Sequence, residues 1–397
     1  MPRILLFNPY CELAIVKRSR FYTPPKLYKK LSVELAILMS WLCNEDDMLL
    51  FDNELDKSFL DHLNLLTGRP IQSISRKQLQ TQKVPIDLIL PWGESIEYLE
   101  EFKSNRYNLK HKQSWDPDFR TLYSRKTGYG MLSKLLELNY QSFIETNMIG
   151  RFISEKEQVI SELKDVLSSN SNGVVLKLPY SASGRGLMKL QKPEMNSSIE
   201  SWIASGLQSQ ESILVEPWLD KIMDFSILFE ITSNNVKWLG GTAFSTHGTG
   251  QYDGAHLGDF INKIPSGLHE SVDFLIQEYK KLLSKSEYAR LHTGKIGVDC
   301  MVVKDEKGHL KIHPCVEINP RHTMGHVTLA LKNHVVDSEN SEWKIVTKHT
   351  IKDFHLFEEE MKEKYPMKIK ENKLDKGFFP LVDVNLSTQY YAYLIAY

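Results

Sequence analysis

Two stretches late in the chain place chemistry-bearing side chains at strand spacing. They are Gly297-Val298-Asp299-Cys300-Met301-Val302 and Val316-Glu317-Ile318-Asn319-Pro320-Arg321, joined through the polar turn Lys304-Asp305-Glu306-Lys307-Gly308. In a strand, residues two apart face the same side, so Glu317, Asn319 and Arg321 share a face. Antiparallel pairing can bring Asp299 beside them. The result is two carboxylates and an amide carbonyl, hard oxygen donors of the kind Mg²⁺ takes in nucleotide sites, with a cation close by for phosphate. Ile318 and the apolar flanks argue that the strand is otherwise buried, so its polar residues need a reason to be there.

A second set lies upstream. Lys177 interrupts the short apolar run Val174-Val175-Leu176-Lys177-Leu178, and a lysine in such a strand needs a partner; a phosphate would supply one, and an exposed edge strand would remove the need. Ser181-Ala182-Ser183-Gly184-Arg185-Gly186 follows, small residues that let backbone N–H groups approach phosphate oxygens. It is not a Walker A motif and does not open a helix, and a plain hairpin turn explains it equally well. Ile213-Leu214-Val215-Glu216-Pro217-Trp218-Leu219 then reads as a strand whose proline leaves backbone groups free to meet the edge of a base. Asp224 is in reach of a ribose hydroxyl, with Asp220 as the weaker candidate.

The elements that must position these residues are legible in outline. Strands are expected near residues 4–7, 48–51 and 87–90, with helices over 31–42 and 55–66 between them, an alternation that argues for a mostly parallel sheet. The polar stretch 104–118 reads as a linker. Beyond it come helices near 126–137, 155–167 (with Ser154 as N-cap), 197–205 and 272–283, and strands at 152–153, 174–178, 187–190, 213–216, 225–231 and 236–243. Residues 247–263, rich in Gly, His and Asp, read as a loop whose His247, Tyr252, Asp253, His256 and Asp259 border a substrate pocket or simply face water. His313, His322 and His326 are close enough in sequence to suggest zinc, but without a His-Glu-x-x-His motif they read as pocket-lining or structural.

Composition sets the bounds. The 397 residues allow two or three domains, and 42% hydrophobic with 25% charged residues is an ordinary globular balance. A formal charge of -1 gives no electrostatic case for nucleic acid or an anionic membrane. No apolar run approaches the roughly 20 residues that span a bilayer. The four cysteines, Cys11, Cys43, Cys300 and Cys315, lack C-x-x-C spacing and read as reduced thiols in a cytoplasmic protein.

Taken in order, the strand lysine, glycine loop, Glu-x-x-Leu hinge, acid, strand aspartate and Glu-x-Asn-x-Arg resemble the ATP-grasp superfamily of carboxylate–amine ligases over about residues 125–331. The resemblance implies α/β and α+β architecture: a pre-grasp α/β domain over 1–118, a helical lead-in and small subdomain with the phosphate lid over 119–220, and a large subdomain with the metal site and a closing segment over 221–397, with ATP between the subdomains. By position, Lys177 resembles the lysine on the α/β-phosphates, and Ser181, Ser183, Gly184, Arg185 and Gly186 the lid. Glu216 and the Leu219 backbone would meet the adenine, and Asp224 the ribose. Asp299, Glu317 and Asn319 match the Mg²⁺ ligands, with Mn²⁺ able to substitute, and Arg321 the arginine that steadies the transferred phosphate. The spacing from Glu216 to the ribose acid is long for the family, and Arg125, Lys126 and Lys134 compete for a second phosphate cation. The implied reaction joins a small carboxylate to an amine with release of ADP and phosphate; an ATP-binding module that has lost catalysis and an ATP-grasp kinase are the alternatives. A homodimer is the default assembly.

Overall fold

The computed structural model describes residues 1–52, 56–103, 107–111, 115–181, 186–192, 195–233, 235–246, 250, 252–385 and 387–397. Its architecture is mixed α/β, built on three main sheets. The first is parallel and four-stranded, in the order Ser73–Ile74, Met48–Leu50, Ile4–Leu6, Ile89–Pro91. Its central strands are apolar throughout, as strands covered on both faces must be. The chain leaves the central strand to one side first and reaches the Ile89–Pro91 side later, so the carboxyl ends of Ile4–Leu6 and Ile89–Pro91 flank a switch point, where α/β sheets bind ligands.

The second sheet is antiparallel, in the order Arg151–Ile153, Ile213–Pro217, Val174–Lys177, Leu187–Leu190. Alternation divides its side chains. Val174, Leu176, Ile213 and Val215 enter a core with Val159, Leu163, Ile199 and Ile203 from the helices Lys156–Ser169 and Ser197–Gln210. Val175, Lys177 and Glu216 take the other face, which lines a cleft.

The third sheet has nine antiparallel strands, running from Leu310–Asn319 through Gly294–Lys304, Asp220–Thr232, Asn235–Thr246, Tyr252–His256, Ser341–Thr347, Tyr390–Ala396 and Lys373–Pro380 to Lys368–Lys370. One face of its first strands packs Phe225, Ile227, Phe229, Val298 and Cys300 on the helix His269–Ser284 through Val272, Leu275, Ile276 and Tyr279. The opposite face carries Asp224, Ser226 and Asp299.

Several expectations are corrected. The apolar run 31–42 is two elements: an α-helix Lys26–Glu34 that starts directly after Pro25, and a buried 3₁₀ helix Ala36–Leu42. Ser154 is not a cap; the helix begins at Lys156 with Glu155 in the cap position and no side-chain cap bond. Residues 247–263 are not simply a loop, because Tyr252–His256 pairs on both sides, with Asn235–Thr246 and Ser341–Thr347. Its alternation was masked by Gly254, where a Cβ would meet the Trp343 carbonyl at 2.3 Å, so backbone proximity demands glycine inside a strand. The stretch 104–118 is no plain linker either: Asn108–Leu109 pairs with Pro85–Ile86, and Tyr107 is buried in the N-terminal core. The four cysteines are unpaired. Among the described residues no helix is long and apolar enough to cross a membrane.

Burial leaves a titration signature. His292 is enclosed between Phe119 and the turn into Gly294–Lys304; its Nε2 meets the Lys295 carbonyl at 2.9 Å and its Nδ1 has no hydrogen-bond partner among the described residues. Burial pushes its pKa down to about 4, and those of His313 and His322 likewise. An unfolded histidine takes its proton near pH ~6.5. Between that pH and about 4 the unfolded chain binds protons that the folded chain refuses, so stability falls as pH falls, by about 1.4 kcal/mol per unit and histidine. We expect His292→Gln to reduce, by about one proton, the slope of unfolding free energy against pH measured in urea between pH ~6.5 and ~5. An unchanged slope would show that His292 is protonated in the fold.

Candidate active site

The hairpin Gly294–Lys304 and Leu310–Asn319 sets the site. Asp299 pairs directly with Glu317, and Gly297 with Asn319, so the two carboxylates and the amide share one face. The register slips between Asp299 and Met301, which lets Cys300 and Cys315 turn inward; Cys300 Sγ donates to the Pro314 carbonyl at 3.1 Å. Ser226 donates to Asp299 Oδ1, and Asn319 Nδ2 to Asp299 Oδ2 at 3.0 Å. Burial first, then the facing Glu317, push the Asp299 carboxyl up to about 7 against the Ser226 hydrogen bond.

Two arginines answer this negative charge. Arg125, the first residue of the helix Arg125–Leu136, donates from Nη2 to Glu317 at 2.7 Å. Its Nη1 reaches the Leu178 carbonyl at 2.7 Å and the Ser181 hydroxyl, so one side chain ties the lysine strand's loop to the hairpin. Arg321 donates from Nη2 to Asn319 Oδ1 at 2.8 Å, from Nη1 to the His322 carbonyl at 3.1 Å, and from Nε to Glu12 at 2.7 Å. Burial opposes the Arg321 charge, but Glu12 outweighs it and keeps the guanidinium cationic.

Two cavities meet at these carboxylates. The first, about 1030 Å³ including its open mouth, lies between the second and third sheets. Arg125, Lys177, Glu216, Leu219, Asp224, Asp299 and Glu317 all line it. Lys177 Nζ pairs with Glu216 at 2.5 Å, both largely buried. Asp224 Oδ2 accepts from Lys221 and, at 3.0 Å, from Thr246. Asp220 is exposed at the end of its strand and lines neither cavity, so position favours Asp224. The second cavity, about 870 Å³, shares Phe244, Thr246, Gly250, Asp299 and Glu317 with the first and adds Asn319 and Arg321.

The structure therefore brings most of the expected residues together. Ser181 is buried and Gly186, at φ +71, closes the base of its loop by accepting from the Leu178 N–H at 2.9 Å. Ser183, Gly184 and Arg185, and His247 downstream, lie outside the described residues. Lys134 is a correction: it is exposed in the last turn of its helix, about 13 Å along the axis from Arg125, and lines neither cavity. Lys126 is exposed too, with its ammonium 5.6 Å from the Phe152 ring, so of the three competing cations Arg125 is the one that reaches the cleft. The hinge is also corrected in part: the Trp218 N–H is not free after Pro217 but donates to the Gly173 carbonyl at 2.9 Å.

Glu12 is the residue that sequence reasoning missed. It sits in the short helix Cys11–Lys17, far in sequence from Arg321, and nothing in its local pattern announces a buried partner. Gly93 makes the approach possible, since a Cβ there would meet Cys11 Sγ at 2.4 Å and Arg321 Cβ at 3.3 Å. Met148, Leu187 and Phe244 also line the first cavity without any sequence signal, as does His313, one of the histidines read as pocket-lining or structural. Burial keeps His313 neutral. His326 accepts the Thr323 N–H at Nδ1, 3.0 Å away, a capping role. Among the described residues, no group of three or more His, Cys, Asp or Glu gathers as a metal site. Two carboxylates and an amide with oxygens on one face suit Mg²⁺ completed by phosphate oxygens, and the Asp299 carboxyl, raised first by burial and then by the facing Glu317, is one whose charge a divalent cation would stabilise.

No family model matches this sequence, and a search of curated proteins gives no match. Solved structures do match. An N5-carboxyaminoimidazole ribonucleotide synthetase solved as its ADP complex aligns over 100% of this chain and 92% of its own, with 12% identity and a TM-score of 0.50. The N5-carboxyaminoimidazole synthetase of Staphylococcus aureus complexed with ADP aligns over 100% and 93%, with 11% identity and a TM-score of 0.50. The biotin carboxylase domain of the Hydrogenobacter thermophilus 2-oxoglutarate carboxylase, in complex with MgADP, ADP and bicarbonate, aligns over 100% and 86%, with 11% identity and a TM-score of 0.50. This chain has the ATP-grasp fold. The ATP-grasp frame accounts for the two facing sheets, with Lys177 and Glu216 on one and Asp224, Asp299 and Glu317 on the other.

The Glu12–Arg321 pair yields a test. Removing one partner of a buried pair leaves an uncompensated charge, at a cost of about 3–5 kcal/mol. Glu12→Ala should lower stability by that amount in urea unfolding. Adding Arg321→Met should recover part of the loss; full additivity of the two would show that the residues do not interact.

Proposed function

We propose that this chain is an ATP-dependent ligase that activates a carboxylate as an acyl-phosphate and joins it to an amine. The observation that carries the reading is the position of Asp299 and Glu317 at the junction of two cavities, with a lysine, an arginine and a ribose-type acid in one and Arg321 in the other. The ADP and MgADP bound in the similar structures support a nucleotide in the first cavity.

In this reading the base lies between apolar groups of the two sheets, Val175 and Leu187 on one side and Met301 and Val316 on the other. Glu216 and the Leu219 backbone address its edge, and Asp224 holds the ribose. Lys177 and Arg125 draw on the phosphates, and the loop of Ser181, Ser183, Gly184, Arg185 and Gly186 covers them against water. Asp299, Glu317 and Asn319 would hold Mg²⁺, which would supply positive charge to offset the charge developing on the phosphates. Asn319 Oδ1 accepts from Arg321 with one lone pair, and its second lone pair is the one it would offer the metal. The organisation implied is a pre-grasp domain over 1–118 and the two grasp subdomains over 119–220 and 221–397.

The chemistry is positioning and charge neutralisation. A carboxylate oxygen bonds to the γ-phosphorus as the bond to the bridging oxygen breaks, its electron pair leaving with ADP. The amine nitrogen then bonds to the acyl carbon, phosphate departs with the carbon–oxygen pair, and the nitrogen loses a proton. Arg321 holds the carboxylate against the phosphoryl group and offsets the charge that both bring.

The test is phosphate release from MgATP with pooled small carboxylic acids and amines, paired with mass detection of an amide. Wild type should give ADP, phosphate and amide in equal amounts, dependent on both pools. Glu317→Ala should fall by at least about 100-fold, the scale of losing one electrostatic contact to a transition state. A stable phosphoester instead of an amide would establish a kinase. Failure to bind MgATP in calorimetry would end the ligase reading.

A further inference from the structure

The second cavity carries a signature of what it takes. It lies across Asp299 and Glu317 from the nucleotide cleft, so a group facing those carboxylates from within it is the group that meets the transferring phosphoryl. Among its described lining residues Arg321 is the one cation. A guanidinium has five N–H groups. Three are engaged, by Glu12, the His322 carbonyl and Asn319, which leaves one N–H on each terminal nitrogen, enough for one carboxylate. The helix Met324–Lys332 begins at the same spot, with Thr323, Met324 and Gly325 on the wall, and its positive end adds to the same preference for one anion.

The larger side chains on the rest of the wall are apolar in the main, Pro9, Leu31, Trp92, Phe244 and Met324 with the ring of Tyr252, beside the hydroxyls of Ser226 and Thr246. Its rings are fixed by packing. Trp92 sits edge-on to Phe7 with centroids 5.0 Å apart, and Tyr252 stacks on Phe244 at 5.9 Å and leans on Trp343 at 5.7 Å. The apolar part of such a wall rewards burial of an uncharged body, and among the described lining residues a phosphate or second carboxylate would find no second cation.

We infer that the second cavity selects a monocarboxylic acid with an apolar body, aromatic or branched aliphatic, its carboxylate on Arg321 and its body against Trp92 and Leu31. The inference rests on the ligase reading and deepens it. A dianionic or phosphorylated acid would bring a second charge into a cavity with one guanidinium, itself already shared with Glu12.

Hydroxylamine in place of the amine traps an acyl-phosphate as a coloured hydroxamate, so acids can be ranked without knowing the amine. The panel is phenylalanine, leucine, 3-phenylpropionate and 4-methylpentanoate against glutamate, succinate, 3-phosphoglycerate and bicarbonate, with MgATP saturating. The apolar acids should lead in kcat/KM by at least about 10-fold, the lower range for discrimination by an apolar pocket. Trp92→Ala should raise KM for the apolar acids by about 10-fold while calorimetric MgATP binding stays unchanged. Leu31→Lys, in the partly exposed helix Lys26–Glu34, should shift the ranking toward the dianionic acids. The wild-type ranking stands as a test even if Trp92→Ala does not fold. Preference for glutamate, succinate, 3-phosphoglycerate or bicarbonate, or hydroxamate from none of the eight while MgATP binds, overturns this inference and leaves the nucleotide site in place. Loss of MgATP binding in the wild type overturns the ligase reading beneath it.

Discussion

Two partly buried carboxylates held directly opposite one another on a sheet face that lines the cleft are the constraint around which the molecule is organised. Asp299 and Glu317 are paired residues of one hairpin, and the pairing is fixed by what lies beneath it: Val298 and Cys300 on one strand and Ile318 on the other are committed to the core. A slip by one residue would turn the acids inward and the aliphatics out. Like charges at this spacing repel, and burial removes the water that would screen them. Arg125 and Arg321 resolve the conflict, and each comes from a different part of the chain. The acids therefore recruit structure around them.

Arg125 links the second sheet to the third. Its backbone N–H donates to the Pro179 carbonyl at 2.9 Å, and its guanidinium spans Leu178, Ser181 and Glu317. The helix behind it packs so closely on the hairpin that Cys315 Sγ donates to the Gly128 carbonyl at 3.4 Å. The arginine and the acid are thus set by main-chain contacts rather than by the reach of a flexible side chain.

The hairpin, the lysine strand and the hinge were legible because each is local: an alternating pattern in a short strand states which residues share a face, and the ordered set of polar exceptions states where chemistry can sit. Lys177, Glu216 and Asp224 could be named for that reason. What was not legible depends on distance in sequence or on backbone packing. Glu12 looks like any acid in the first turn of a helix until Arg321 is placed beside it. The strand Tyr252–His256 was hidden because its Gly254 is demanded by the neighbouring strand and not by a turn. Lys134 and Arg125 are alike as cations in sequence, and only the helix's orientation separates them.

The Glu12–Arg321 contact changes what the N-terminal sheet is for. An exposed pair of this kind would add little, since water would compensate either partner. Here both side chains are largely buried, at 6% and 14% exposure, so each charge depends on the other. Around them the N-terminal segment is fastened to the third sheet by main chain: the His322 N–H donates to the Trp92 carbonyl at 2.9 Å, and the Asn8 amide holds Gly93 through both its carbonyl and its N–H. The switch point of the parallel sheet thus supplies a wall of the second cavity through Pro9 and Trp92, and also the counter-charge that orients the guanidinium in it. A free guanidinium next to Asp299 and Glu317 would fold onto those acids. Held at Nε by Glu12 and at Nη2 by the amide of Asn319, it is kept off them, with its remaining N–H groups available to an incoming anion.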